Sequence, residues 1–277
     1  MMMSLMSKLL TSTIVTTTIL SAGMSESDLT KYFKKFIVKN PAVEVLDAEI
    51  IETKKIDTAK GWEVYLTNMK LKHNGKEVSV PQTVFVNGDL ITPVLMNMDT
   101  NRNYVNEYKP SLSVEYYKND HLLFGERDAK HRIVVFSDPQ CPFCMEIMPE
   151  IMDAVKKYPK TFALYYYHLP LLRIHPVSGT LVRIMHIAQQ KGQSDIVYKL
   201  YSLKIDARET DVDKIIKAVK DHSGFVVTKE EIEAKEVQEA IANDEALAAK
   251  VMVTGTPTVY VDGKWDKMRD KYKKFLP

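Results

Sequence analysis

Phe136-Ser137-Asp138-Pro139-Gln140-Cys141-Pro142-Phe143-Cys144 is the stretch on which the fold of this chain turns. It follows Ile133–Phe136, an apolar run with the length and composition of a buried strand. It precedes a segment, to about Lys157, that reads as a helix. A strand running into a CxxC that opens a helix sets up specific chemistry. Cys141 falls at the helix N-terminus, where free amide N–H groups and the positive end of the dipole stabilise an anion. Its thiol pKa is therefore expected to be low, which makes Cys141 the attacking thiolate. Cys144, one turn on, is expected to be less accessible and to resolve a mixed disulfide. Pro142 is tolerated because the first turn has no intrahelical acceptor for an N–H. With Phe143 it tunes thiolate stability, and so reduction potential. Asp138 reads as a solvated turn residue.

Two more prolines bear on the same site. Pro149 removes a bond to the Met145 carbonyl, so the helix is expected to kink there. Thr256-Pro257 is a candidate cis bond ahead of a strand at Thr258–Val261. The competing uses of the cysteine pair are weaker. Zinc needs about four ligands, whereas a second CxxC is missing and His168 and His175 are too widely spaced. A bridge across so short a loop restrains little of the unfolded chain, so an inert staple is disfavoured. No metal and no cofactor is expected. Met145, Met148 and Met152 read as a core stripe at helical spacing, and His168, His175 and His186 as packing or surface residues.

Outward from the site, Ser25–Asp28 is a helix start, and Leu29, Tyr32, Phe33, Phe36 and Ile37 mark one buried helical face. Strands are expected at Val43–Ile51, Trp62–Leu71 and Lys76–Val86, with turns at Asn74-Gly75 and at Asn87-Gly88 leading into Leu90-Ile91. Lys109-Pro110-Ser111 is a joint, followed by a short helix over Ser111–Lys118. Leu122–Phe124 and Ile133–Phe136 are expected to pair as a hairpin across the polar turn 125–131. After Cys141–Lys157 come a strand at Phe162–Tyr167 and helices at Val177–Gln190, Asp195–Leu203, Val212–Lys220 and Lys229–Lys250. Asp262-Gly263 is expected to turn the chain into a basic helix, Lys264–Phe275.

The chain has 277 residues, 45% hydrophobic and 27% charged, the balance of a globular protein. Lys plus Arg number 38 against 36 Asp plus Glu, so no strong field points to nucleic acid. Lys8, the apolar run Leu9–Leu20 and Ser21-Ala22-Gly23 follow the order of a secretory signal, and the run is too short to span a bilayer. The expected division is a signal at 1–23, an N-terminal domain at 24–108, a linker at 109–120 and a catalytic domain at 121–277.

At these residues the chain resembles the thioredoxin superfamily. Within it, the approach from Phe136 to Cys144 is similar to that of the periplasmic Dsb proteins of the dimeric DsbC/DsbG type. Pro149 is similar to the helix-kink proline of thioredoxins, and Gly255-Thr256-Pro257 to their cis-proline loop. The resemblance implies an α+β fold: a thioredoxin-like catalytic domain with a helical insertion, preceded by a small α+β, cystatin-like dimerisation domain. It implies that Thr256 and Pro257 bind the substrate chain beside Cys141 and Cys144. It also implies a periplasmic homodimer that exchanges disulfides with unfolded or misoxidised exported proteins and with a DsbB- or DsbD-like membrane partner. More than a hundred residues separate Cys144 from Pro257, an insert of the size found in DsbA-type oxidases. Isomerase and oxidase therefore both stand, with a dedicated thiol reductase or a chaperone-like binding module as alternatives.

Overall fold

The computed structural model describes residues 23–277. The expected signal, 1–23, lies outside them except for Gly23. The chain builds two sheets, each with its own buried clusters.

The first is antiparallel, in the order β1 (Val43–Lys55), β2 (Glu63–His73), β3 (Lys76–Asn87), β4 (Leu90–Thr92). Asn74 and Gly75 take positive φ, 50° and 76°, and His73 pairs with Lys76, as a two-residue turn between twisted strands requires. Asn87 pairs with Leu90, so the next turn is Gly88-Asp89, one residue later than expected. Pro81 is accommodated in β3 because β4 pairs only with residues 85–87, leaving β3 an edge at that point.

Helix α1 (Glu26–Tyr32), capped by Ser25, covers one face of this sheet. Leu29 and Phe33 pack there on Val45, Tyr65, Met69 and Val84. Phe36 departs from the expected face and is 53% exposed. Residues 33–37 form a π-helical turn, closed by Val38 N–H to Phe33 O. The wider turn rotates position 36 off the sheet, and the ring lies beside Lys35 and Lys39. The other face of the sheet buries Val64, Leu66 and Phe85 with Tyr104, and Met252 from the far end of the chain packs on them.

The second sheet has the order β5-β7-β6-β8-β9: β5 (Leu122–Gly125), β6 (His131–Ser137), β7 (Phe162–His168), β8 (Thr258–Val261) and β9 (Lys264–Asp266). β6 and β7 are parallel, joined by helix α2 (Pro142–Lys157), and the other pairs are antiparallel. Every residue of β7 is buried. Phe162, Leu164 and Tyr166 face the cluster with α2, while Ala163, Tyr165 and Tyr167 face the cluster with Leu247 and Val251. Between β7 and β8 lies the helical insertion: α3 (Ser178–Gln190), α4 (Ser194–Leu200), α5 (Val212–Ser223), α6 (Lys229–Glu233) and α7 (Lys235–Lys250). This is a mixed α/β, thioredoxin-like arrangement. Among the described residues no helix is long and apolar enough to cross a membrane.

Several expected elements are corrected. β5 and β6 do not form a hairpin. A strand buried at every position needs partners on both edges, and β7 takes the place between them. Lys229–Lys250 is two helices, broken where Ala234 turns extended, with ψ 136°. Lys264–Phe275 is not a helix: Asp262 and Gly263 take φ 52° and 76°, and the resulting tight turn folds β9 back on β8. Only a short 3₁₀ turn follows, at Lys271–Phe275. The helix expected over Ser111–Lys118 shrinks to a 3₁₀ turn, Val114–Tyr116.

Gly125 ends β5 where the chain crosses the start of β7. Its φ is +88°, and a Cβ there would lie 2.0 Å from the Phe162 carbonyl oxygen. Gly125→Ala is expected to lower unfolding free energy by more than about 2 kcal/mol, through strain and a backbone clash together. Urea denaturation of the variant measures this.

Candidate active site

The site is assembled by backbone pairing before any side chain acts. In the β6–β8 ladder Phe136 lies opposite Thr258. The loops at the ends of these strands, 138–141 and 254–257, are thereby held together. The Thr256–Pro257 peptide is cis, and the Cys141 Sγ lies 3.4 Å from the Thr256 carbonyl oxygen, to which its thiol form donates. Residues 115 apart in sequence meet at one sulfur. Arg269 Nε donates to the Pro257 carbonyl at 3.1 Å, and the Thr258 hydroxyl to the Gly255 carbonyl at 2.7 Å, fixing this loop from both sides.

Cys141 is the N-cap of α2, with extended φ and ψ of −69° and 122°, and Pro142 opens the helix. Pro149 lies inside α2, which continues through it to Lys157. Both cysteines are free and buried, and they differ sharply. Cys141 keeps 6% exposure and Cys144 none, while Phe143 between them stands 61% exposed. A hydrogen bond from the Cys144 thiol lowers the Cys141 pKa to about 5 against the opposing effect of burial, helped by the Thr256 side chain and the N–H groups of Cys144 and Phe143. Burial pushes the Cys144 thiol far up, and the neighbouring Cys141 adds to it. The pair is one anion and one thiol, with the anion on the accessible sulfur. The Thr256 hydroxyl, close enough to lower the Cys141 thiol pKa, makes no well-formed hydrogen bond, and neither does the buried Gln140 side-chain nitrogen.

Asp138 overturns its expected role as a solvated turn residue, for it is fully buried. Its Oδ1 accepts from the Gln140 N–H at 2.8 Å and the Ser178 hydroxyl at 2.6 Å. Its Oδ2 accepts from the Leu171 N–H at 2.8 Å and from His175 Nδ1 at 3.1 Å. A buried carboxylate persists only when its lone pairs are met, and these four donors tie the cysteine loop to the start of α3. His175 thus belongs to the frame of the site.

His168 is buried at the end of β7 with neither ring nitrogen bonded, and burial keeps it neutral. Met148 and Met152 are core residues, and Met145 packs at the core's edge. Beneath Cys144 lies a group that residue spacing did not reveal. Ser137 Oγ is 2.6 Å from the Tyr201 hydroxyl, which is 2.6 Å from that of Tyr166. The one signal in the sequence is the run of tyrosines in a buried strand, since a buried tyrosine hydroxyl usually finds a partner; that of Tyr166 does, while that of Tyr167 has none.

A family model described as DSBA-like thioredoxin domain matches residues 132–273, just over half of the chain. The chain is 25% identical over 187 residues to a probable disulfide bond formation protein D of Bacillus cereus, covering 62% of this chain and 86% of that protein. It is 23% identical over 155 residues to Na(+)/H(+) antiporter NhaA 1 of Mycolicibacterium gilvum, covering 54% of this chain. The chain spans a quarter of that relative's length. The crystal structure of BdbD from Bacillus subtilis superposes with a TM-score of 0.49 at 18% identity, covering 60% of this chain and 92% of that one.

The asymmetry of the two thiols has a direct readout. Thiolate absorbance near 240 nm in the reduced protein is expected to rise through about pH 5, not near the ordinary value of 9.0. Unfolding restores that ordinary value, so the stabilisation from this anion is complete above about pH 9 and is lost as pH falls through about 5. A single titration near pH 9 would refute the asymmetry.

Proposed function

The chain belongs to the DSBA-like thioredoxin domain family, and from that premise we propose that it is an exported thiol–disulfide oxidoreductase acting through Cys141 and Cys144. One observation carries the reading: a thiolate stabilised at a helix N-terminus, against a cis-proline loop, with a second thiol buried beneath it. A substrate thiolate attacks Cys141 Sγ of the oxidised pair, the S–S bond breaks, and the electron pair leaves on Cys144. The substrate's second thiolate attacks its own sulfur in the mixed disulfide and expels Cys141. The substrate dithiol loses two electrons and two protons, and the enzyme pair takes up two electrons and, at Cys144, one proton. Cys141 remains an anion, and its proton passes to solvent. Because a low-pKa thiolate is a good leaving group, its stability favours the oxidising direction over isomerisation or reduction.

In this reading Thr256 and Pro257 hold the substrate main chain, and Pro142 and Phe143 tune the potential. The exposed apolar side chains Phe143, Leu172, Ile174 and Met268 suit unfolded exported chains. Periplasmic action and reoxidation by a DsbB-like membrane partner follow from the same proposal, with a DsbD-like partner in the reducing direction. Residues 24–108 form a cystatin-like dimerisation domain, 109–120 a linker and 121–277 the catalytic domain. Exposed Leu90, Val94, Met96 and Met98 on and after β4 support the dimer.

Cys141→Ser is expected to abolish oxidation of a reduced, unfolded substrate protein. Cys144→Ala is expected to accumulate mixed disulfides with exported proteins, identified by mass spectrometry. Full activity of Cys141→Ser would defeat the proposal. Separately, light scattering is expected to give twice the chain mass, and a monomer mass would remove the dimer alone.

A further inference from the structure

Cys144 poses a problem that the exchange reaction must solve. Its sulfur is wholly buried, yet in the reaction proposed above it carries negative charge, as leaving group in one direction and as attacking group in the other. A buried anion needs donors. The nearest carboxylate cannot also serve as its base, because both oxygens of Asp138 are engaged by four other donors. Two groups favour the Cys144 anion against burial, the backbone N–H of Asp138 and the hydroxyl of Ser137; in this structure that hydroxyl is bonded to Tyr201, and it can turn to the sulfur when Cys144 ionises.

Ser137 is not an isolated hydroxyl. It bonds Tyr201, which bonds Tyr166, each at 2.6 Å, and Ser137 lies within reach of Tyr166 as well. The three residues come from the end of β6, the C-terminus of α4 and the middle of β7, and all are buried. The trio holds three hydroxyl protons, and its two internal bonds use two of them. When Cys144 is an anion, the arrangement that leaves no buried proton idle runs one way. Tyr166 donates to Tyr201, Tyr201 to Ser137, and Ser137 to the sulfur. Each bond polarises the next, so the last donor is stronger than a lone serine.

Resting on the exchange reading, we propose that Ser137, Tyr201 and Tyr166 form a directional hydroxyl chain that stabilises the Cys144 thiolate in the ring-closing and ring-opening steps. They are positioning residues, with Ser137 the member of the trio that acts on the sulfur and the tyrosines acting through it. In ring closure Cys144 releases its proton to solvent, and its sulfur attacks Cys141 Sγ. The bond from Cys141 to the substrate sulfur breaks, and that sulfur leaves with the electron pair. The hydroxyl chain gains and loses no proton overall.

The test uses the full chain, loaded at Cys141 with glutathione from oxidised glutathione, and follows both attack and glutathione release from pH 5 to 9. In Ser137→Ala and in Tyr201→Phe, release is expected to slow roughly tenfold or more, since a hydrogen bond to a charged group is lost. The slowing is expected at every pH of the range, while the first attack changes by no more than about twofold. Tyr166→Phe, at the far end, is expected to show a smaller slowing in the same direction. Circular dichroism identifies the folded variants, and any one of them decides. Release at the wild-type rate, or equal slowing of attack and release, would overturn the chain's role. Failure of the wild-type protein to form the glutathione adduct would instead overturn the exchange reading itself.

Discussion

The antiparallel ladder between β6 and β8 is the constraint on which the rest of the site depends. Four residue pairs, from Ile133 with Val261 to Phe136 with Thr258, set two loops side by side that the chain separates by more than a hundred residues. A shift of one residue would reverse the faces of β8 and carry the cis-proline loop away from Cys141. What prevents the shift is burial on both faces, since Val259 and Val261 pack with α2 and Tyr260 packs with Phe136 and Tyr116. The tight turn at Asp262-Gly263 reinforces the register by pairing β9 with β8.

Within that frame, two buried polar devices divide the work. Asp138 is structural: one carboxylate, held by four donors, joins the cysteine loop to the segment that begins α3. A buried charge so held is costly to disturb, because removing it strands its donors. The Ser137 trio is neutral and compact, and its hydroxyls bond one another beside the cluster that holds Cys144. Adjacent residues at the end of one strand thus serve different partners, Asp138 the cysteine loop and Ser137 the tyrosine pair. The large helical insertion contributes to both, since α3 brings Ser178 to Asp138 and the end of α4 brings Tyr201 to Ser137.

The opposite displacement of the two thiols follows from position alone. Cys141 sits at the cap, where N–H groups converge, while Cys144 lies one turn deeper, wholly buried in the larger apolar cluster. Desolvation acts against the charged form of both. It is overcome at Cys141 by the Cys144 thiol and the Thr256 side chain, and not at Cys144. The same helix turn therefore provides an accessible anion and a guarded thiol.

Much of this was legible in the sequence, because it depends on local rules. CxxC after an apolar run fixed a strand, a turn and a helix N-terminus, and Asn74-Gly75 fixed a hairpin through the positive φ that both residues accept. The places where local reading failed share a cause. Phe36, the supposed β5–β6 hairpin and the supposed terminal helix each looked right by spacing, yet a π turn, the demand of β7 for two neighbours and an Asp-Gly turn decided otherwise. Asp138 read as solvated because a short acidic loop residue is usually so; its four donors lie up to 40 residues away. Tyr166 and Tyr201 offered only apolar patterning until folding brought their hydroxyls to Ser137. By itself the sequence determined that a cysteine pair opens a helix. The tertiary structure alone decided which polar groups hold each sulfur, because those groups come from strands and helices whose proximity is set by sheet order and burial.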